Sequence, residues 1–275
     1  IFAEGAGTVT LLSTRFLFAT LLFGGTILFQ KYRTGENLFR IEKQDYKYFF
    51  GNGIFLSLHL LTYWFAWEYL DPNLAVIYGI FYMYPLVLIL LAVFYFGEKF
   101  SNNRKIALGL GTIGALFACE FLPSFSTEHL NTTGILLDIA AVVTWVGYLL
   151  VGQSIMKKYK PLTIVFYDFL QVFFYVSLFQ LPTVTISELN PHNLLAILYL
   201  AVVASFIAYL CYWTAVKNIG ASNSGIFELS TPIIGVSLAF LFLTTVPTLY
   251  QVGGLLMLVG STYLTYRERE VVYDQ

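Results

Sequence analysis

Glu228 stands four residues before Pro232 in a stretch, Ser222–Leu243, that is otherwise uncharged. A proline inside a helix removes one backbone N–H and blocks the carbonyl four residues earlier, so Pro232 frees a carbonyl where the carboxylate is attached. Ionisable groups at such depth in an apolar segment are costly and are read as functional. The chemistry open to Glu228 is neutralisation of a cationic solute or carriage of a proton. Pro85 occupies the same place in an earlier apolar stretch, Leu74–Gly97. Tyr78, Phe81 and Tyr82 share a helical face with Pro85, and Trp145 and Tyr148 form an i, i+3 pair. Trp64 and Trp213, from two similar Tyr-Trp-x-Ala segments, complete the candidate solute-lining set. Aromatic rings beside one carboxylate suit a cationic or flat organic solute, each contact contributing about 0.5–2 kcal/mol. Pro85 and Pro232 are the candidate gating kinks.

Other polar residues in apolar stretches read differently. Asp138 and Asp168 lie nearer the segment ends, where interfacial solvation or pairing across helices accounts for them. His59 and Gln171, near mid-segment, read as packed hydrogen-bonding residues. Cys119 and Cys211 match no metal or redox spacing and are expected as small buried hydrophobes. No His-Glu-x-x-His, Gly-x-Ser-x-Gly, paired membrane aspartate or His/Cys cluster is present, which argues against an intramembrane enzyme, the main rival class. The absence of a Gly-x-x-x-x-Gly-Lys-Ser/Thr loop argues against direct use of ATP. No metal and no cofactor is expected, and a net charge of −1 argues against a nucleic-acid partner.

The elements that must position these residues are membrane helices. The chain is 58% hydrophobic and only 11% charged, with a mean hydropathy of +0.73, far from the roughly 25% charge of soluble domains. About 20 apolar residues cross a bilayer. Nine such stretches occur: Leu11–Gln30, Tyr48–Tyr69, Leu74–Gly97, Ile106–Leu122, Gly134–Gln153, Leu162–Leu181, Leu194–Val216, Ser222–Leu243 and Leu249–Tyr266. Fourteen of the 15 Lys and Arg residues fall in alternate connections and the tail; Arg15 is the exception. Lys43, Lys99, Lys157 and Lys217 mark the basic connections, whereas Glu68, Asp71, Glu128 and Glu188 mark the others. Basic loops are cytoplasmic, so the C-terminus is expected inside and the first residue outside. A chain that begins Ile1-Phe2-Ala3 on the outer side is expected to lack one upstream helix, giving ten in the complete protein.

The two halves resemble each other. Tyr63-Trp64-Phe65-Ala66 is echoed by Tyr212-Trp213-Thr214-Ala215, Pro85 by Pro232, and a Gly-rich span (Gly109, Gly111, Gly114) by another (Gly253, Gly254, Gly260), at a shift of about 146 to 149 residues. The expected first repeat covers 1–124 and the second 132–270. An odd number of spans per repeat inverts the second half, and inverted repeats underlie alternating access.

Tyr-Trp-x-Ala, a Pro-bearing helix, Gly97-Glu98-Lys99-Phe100 and a Gly-rich helix, with Trp145-Val146-Gly147-Tyr148 opening the second half, resemble the EamA-type drug/metabolite transporters. Thr245 departs from the pattern, since the family usually keeps Glu there. The resemblance implies an all-α polytopic membrane protein with a ten-helix, five-plus-five inverted-repeat fold, nine spans of it in this chain. It further implies a secondary transporter of a small organic metabolite in a plasma (inner) membrane. Amino acids lead on that resemblance, and a cationic aromatic metabolite such as S-adenosylmethionine is the alternative on local chemistry. Proton coupling is a possibility the sequence leaves open, as is monomer against homodimer.

Overall fold

The computed structural model describes residues 8–71, 74–96, 101–121, 131–180 and 191–273. The Gly97–Phe100 motif, Glu128 and Glu188 lie outside them. Twelve α-helices form among the described residues: α1 (Thr8–Thr34), α2 (Tyr46–Leu70), α3 (Leu74–Phe81), α4 (Tyr84–Phe96), α5 (Asn102–Ala118), α6 (Thr132–Met156), α7 (Pro161–Gln180), α8 (Pro191–Tyr199), α9 (Ala208–Ile219), α10 (Ala221–Glu228), α11 (Thr231–Leu243) and α12 (Leu249–Tyr273). A π-helical segment, Leu200–Ile207, joins α8 to α9. Taking α3/α4, α8/α9 and α10/α11 as one rod each gives nine rods, in the order of the nine apolar stretches. Six rods are long and apolar enough to cross a membrane. The other three are α2, α5 and α12. The first and last intersperse Tyr, Trp, His, Asn, Gln and Ser among their apolar residues, and α5 is 17 residues long. Large apolar side chains such as Phe94 (81% exposed) and Leu241 (68%) point outward, as a bilayer requires because no polar face competes for that position.

The chain divides into two compact units, residues 1–64 with 147–219 and residues 65–146 with 220–275. Each draws on both sequence repeats. In the first unit α1 packs along α7, with Phe16 and Phe23 edge-on to Phe169 at 4.8 and 5.4 Å. In the second unit α5 packs along α12. Their close approach depends on small residues: a Cβ on Gly254 would meet the Gly114 carbonyl at 2.6 Å, and one on Gly114 would meet the Gly254 carbonyl at 2.9 Å. Such backbone proximity is how membrane helices gain packing when apolar burial offers no advantage over lipid. Ile89, Ala107, Ala115, Ile226, Leu229 and Leu258 fill the core around this pair.

Both proline-bearing rods are broken, and the break falls before the proline. In the first, Met83 N–H donates to the Ile80 carbonyl and Leu86 N–H to Met83; in the second, Ser230 N–H donates to Phe227 and Ile233 N–H to Ser230. Each bond of the second set lies 147 positions on from its counterpart, as Pro232 does from Pro85. The cause is local. Proline denies a partner to the carbonyl four residues back, Phe81 in one rod and Glu228 in the other, and the chain tightens to three-residue bonds around the gap. Thr231 Oγ1 donates to the freed Glu228 carbonyl at 2.7 Å; this hydroxyl supplies the bond that the missing N–H would have made.

Candidate functional site

Within the second unit a cavity of about 350 Å³ opens beside the Pro232 break. Tyr78 and Tyr82 at the end of α3, Cys119 after α5, Thr231 and Pro232 at the start of α11, and Gln251 on α12 shape it. The two tyrosine rings stack at 6.2 Å and 24°, a wall built by their i, i+4 spacing on one helical face. Thr231 and Pro232 bring the N-terminal end of α11 into the lining, where the helix dipole favours negative charge. None of the described lining residues is charged.

Glu228 stands three residues before Thr231 of this lining. It is half-buried, and the hydroxyl of the fully buried Tyr84 donates to its Oε2 at 2.5 Å. Phe81 and Trp145 pack around Tyr84 at ring separations of 5.3 and 6.3 Å. Four sequence candidates thus meet here: Tyr78, Tyr82 and Pro232 in the cavity wall, and Glu228 one turn away. Phe81 and Trp145 form the layer beneath, and Pro85 is buried at the companion break. Tyr84 was missed by sequence reasoning. Only its position, 144 residues from its partner, gives it a role, and no local pattern marks that.

In the first unit, Tyr148 and Trp213 are fully enclosed and belong to a polar network. Trp213 Nε1–H donates to the Tyr148 hydroxyl at 2.6 Å, Tyr148 donates to Asp168 Oδ2 at 3.0 Å, and Asn52 Nδ2 donates to both Asp168 oxygens at 2.9 Å. Gly152 makes this possible, because the Trp213 ring occupies the space a Cβ would need. Trp64 is half-buried in the same unit. Asp168 is accordingly held by pairing across helices, one of its two expected explanations. Gln171 donates to the carbonyls of Phe49 and Tyr167, and His59 stacks on Tyr63; both are packed hydrogen-bonding or ring-stacking residues, as expected.

Two expectations, those for Asp138 and for the cysteines, need correction. Asp138 is neither solvated nor paired: it is 0% exposed, and neither carboxylate oxygen has a hydrogen-bond partner among the described residues. Cys211 is exposed rather than buried, and Cys119 is half-buried in the cavity wall. Arg15, the exception to the charge pattern, is buried. Its Nε donates to Ser205 Oγ at 2.7 Å and its Nη2 to the Ala204 carbonyl at 3.2 Å, both in the π-helical segment. A π turn moves carbonyls out of the ordinary i−4 ladder, and the guanidinium uses one of them.

Outside the apolar spans, the connection after α1 is tied to the ends of α6 and α7. Lys158 bridges Glu42 at 2.5 Å and Asp45 at 2.7 Å, Lys160 pairs with Glu36, and Tyr159 donates to Asp45. Hydrogen bonds from Lys158 and Tyr159 hold the Asp45 carboxyl below its ordinary value, and the hydrogen bonds that Lys158 makes to Asp45 and Glu42 raise its ammonium.

Nine apolar helical rods, two proline breaks repeated bond for bond and a small cavity beside one of them define a two-repeat helical membrane fold of the transporter class. The chain belongs to the EamA-like transporter family, which it matches over residues 1–119 and again over 132–267. An uncharacterized transporter of Archaeoglobus fulgidus is 23% identical over 264 residues, 95% of this chain and 89% of that protein. A protein of Escherichia coli named a probable amino-acid metabolite efflux pump is 24% identical over 186 residues, 64% of this chain and 62% of that one. A solved crystal structure shares the fold with a TM-score of 0.76 at 18% identity, covering 95% of this chain and 88% of its own. Family and relatives alike point to a multi-pass membrane transporter rather than an enzyme.

Proposed function

We propose that the protein is a secondary transporter that moves an amino acid or closely related small metabolite by alternating access between two inverted halves. The observation that carries this is the cavity against the Pro232 break. Its volume of about 350 Å³ falls within the range of roughly 300–1,000 Å³ typical of small-molecule sites. The start of α11 suits a carboxylate, and the stacked faces of Tyr78 and Tyr82 suit an ammonium group. The name of the E. coli relative supports the same solute class. Glu228, engaged by Tyr84, is proposed to polarise the site. Tyr148 and Trp213 would meet a solute only after the network around them opens. The basic connections and C-terminus are placed in the cytoplasm on the distribution of Lys and Arg.

A thermal-shift screen of the purified protein against the twenty protein amino acids and S-adenosylmethionine tests the solute. A ligand at 100 times its Kd stabilises the folded state by about 2.7 kcal/mol, and Tyr82→Ala should abolish the shift. Glu228→Gln should weaken it while the protein still folds. A response to S-adenosylmethionine alone would replace the amino-acid reading with the cationic one.

A further inference from the structure

We propose that Asp168 is a proton-binding site and that Asn52 is the side chain that registers whether the proton is present. The role of this site in a transport cycle rests on the secondary-transporter reading; its occupancy by a proton does not.

Asp168 is 0% exposed in the middle of the first unit. Each hydrogen bond to its carboxylate among the described residues is donated to it, two by Asn52 Nδ2 and one by Tyr148. Donors of this kind support an anion. They are also neutral, so the charge of the anion is not cancelled, and burying an uncancelled charge is expensive. A proton removes that cost without needing room. Among the other ionisable groups on the surrounding helices, Tyr148 is bound to Asp168 itself. Tyr209 packs edge-on to the neighbouring Phe169 at 4.9 Å, Arg15 is taken by Ser205 and Ala204, and His59, seven residues along α2 from Asn52, stacks on Tyr63.

The second observation is Asn52 Oδ1, which is buried and has no hydrogen-bond partner among the described residues, on a residue that is 0% exposed. When Asp168 gains a proton from water, its charge goes from −1 to 0 and one oxygen becomes an O–H donor that needs an acceptor. Turning the Asn52 amide end for end supplies one, because Oδ1 then faces the new O–H. The turn leaves Nδ2 unmatched in place of Oδ1, so one amide group lacks a partner in either state and the two states stay close in free energy. Tyr148 keeps its donation to the other oxygen. The carboxyl is thus read by α2 and α6 together.

Infrared difference spectra of the purified protein in lipid, recorded between successive pH values, test the site. In an Asp138→Asn background, which removes the other fully buried carboxyl, one protonated-carboxyl band should titrate, persist when His59→Gln is added, and be lost when Asp168→Asn is added. Tyr148→Phe and Asn52→Ala each remove a donor to the carboxylate and should move the midpoint by about one pH unit or more. A titrating band unchanged in Asp168→Asn, or a midpoint unmoved in both donor variants, would overturn the assignment. In proteoliposomes given the twenty radiolabelled amino acids, Asp168→Asn should keep solute exchange and lose accumulation driven by a pH gradient. If the wild type moved none of them, the proposed solute class would fall while the infrared titration still decided the proton site.

Discussion

The two compact units draw on the same repeated sequence and use their polar residues in opposite ways. In the first, a carboxylate and a guanidinium are both buried and both supplied with partners: Asp168 by Asn52 and Tyr148, Arg15 by Ser205 and Ala204. Ion pairs close its basic end as well. In the second unit, Asp138 is buried with neither oxygen partnered among the described residues, and a cavity opens beside the proline break. The difference teaches that repetition fixes where helices bend, whereas single side chains decide whether the space at the bend is filled by protein or left for a solute.

Substitutions that test this contrast can be ranked by effect. Gly254→Leu should be the most damaging, because its side chain would drive α12 away from the Gly114 carbonyl; overpacking of this kind costs about 3 kcal/mol or more, read as loss of monodisperse protein in size-exclusion chromatography. Next comes a paired test. Asp168→Leu strands the donors of Asn52 and Tyr148 and should cost about 2–4 kcal/mol, whereas Asp138→Leu strands nothing and should be neutral or stabilising. Equal melting temperatures for the two variants would erase the contrast between the units. Pro85→Ala and Pro232→Ala should change stability by about 1 kcal/mol or less, yet impair transport more than expression, since each removes the reason for a break; normal uptake by the double mutant would make the breaks packing features only.

The smallest effect belongs to the exposed ion pairs. Lys158→Ala should lower the melting temperature slightly in dilute buffer and not at all in high salt. The Asp45 carboxyl is held below its ordinary value, so its contribution is complete above the usual carboxylate range and fades as pH falls through that lowered value. The raised Lys158 ammonium contributes fully below the usual lysine range and loses its part only as pH rises through its raised value. An acid limb that survives in Lys158→Ala would show that other carboxylates set it.

Much of the fold was legible because bilayer helices need long apolar runs, and hydropathy is summed over many residues. The breaks were legible too, since proline acts on its own backbone. Their position was less so: the chain loosens at Tyr82–Met83 and Leu229–Ser230, two or three residues ahead of each ring. The π-helical segment left no trace in Leu200–Ile207, an ordinary apolar run, so the seat of Arg15 could not be foreseen. Partners separated by over a hundred residues, Tyr84 with Glu228 and Asn52 with Asp168, were invisible for the same reason. Periodicity shows which face a residue occupies, and only the folded chain shows what that face meets.

The matched hydrogen bonds around Met83 and Ser230 carry a further consequence for how such a molecule can change over generations. A bend that depends on one proline ring survives a gene duplication in both copies without needing any particular neighbour. The residue four places earlier loses a backbone partner whatever its side chain, so it is free to diverge. One copy here holds Phe81 and the other Glu228. The mechanical part of the ancestral design remains common property of both halves, and the chemical part has become private to one.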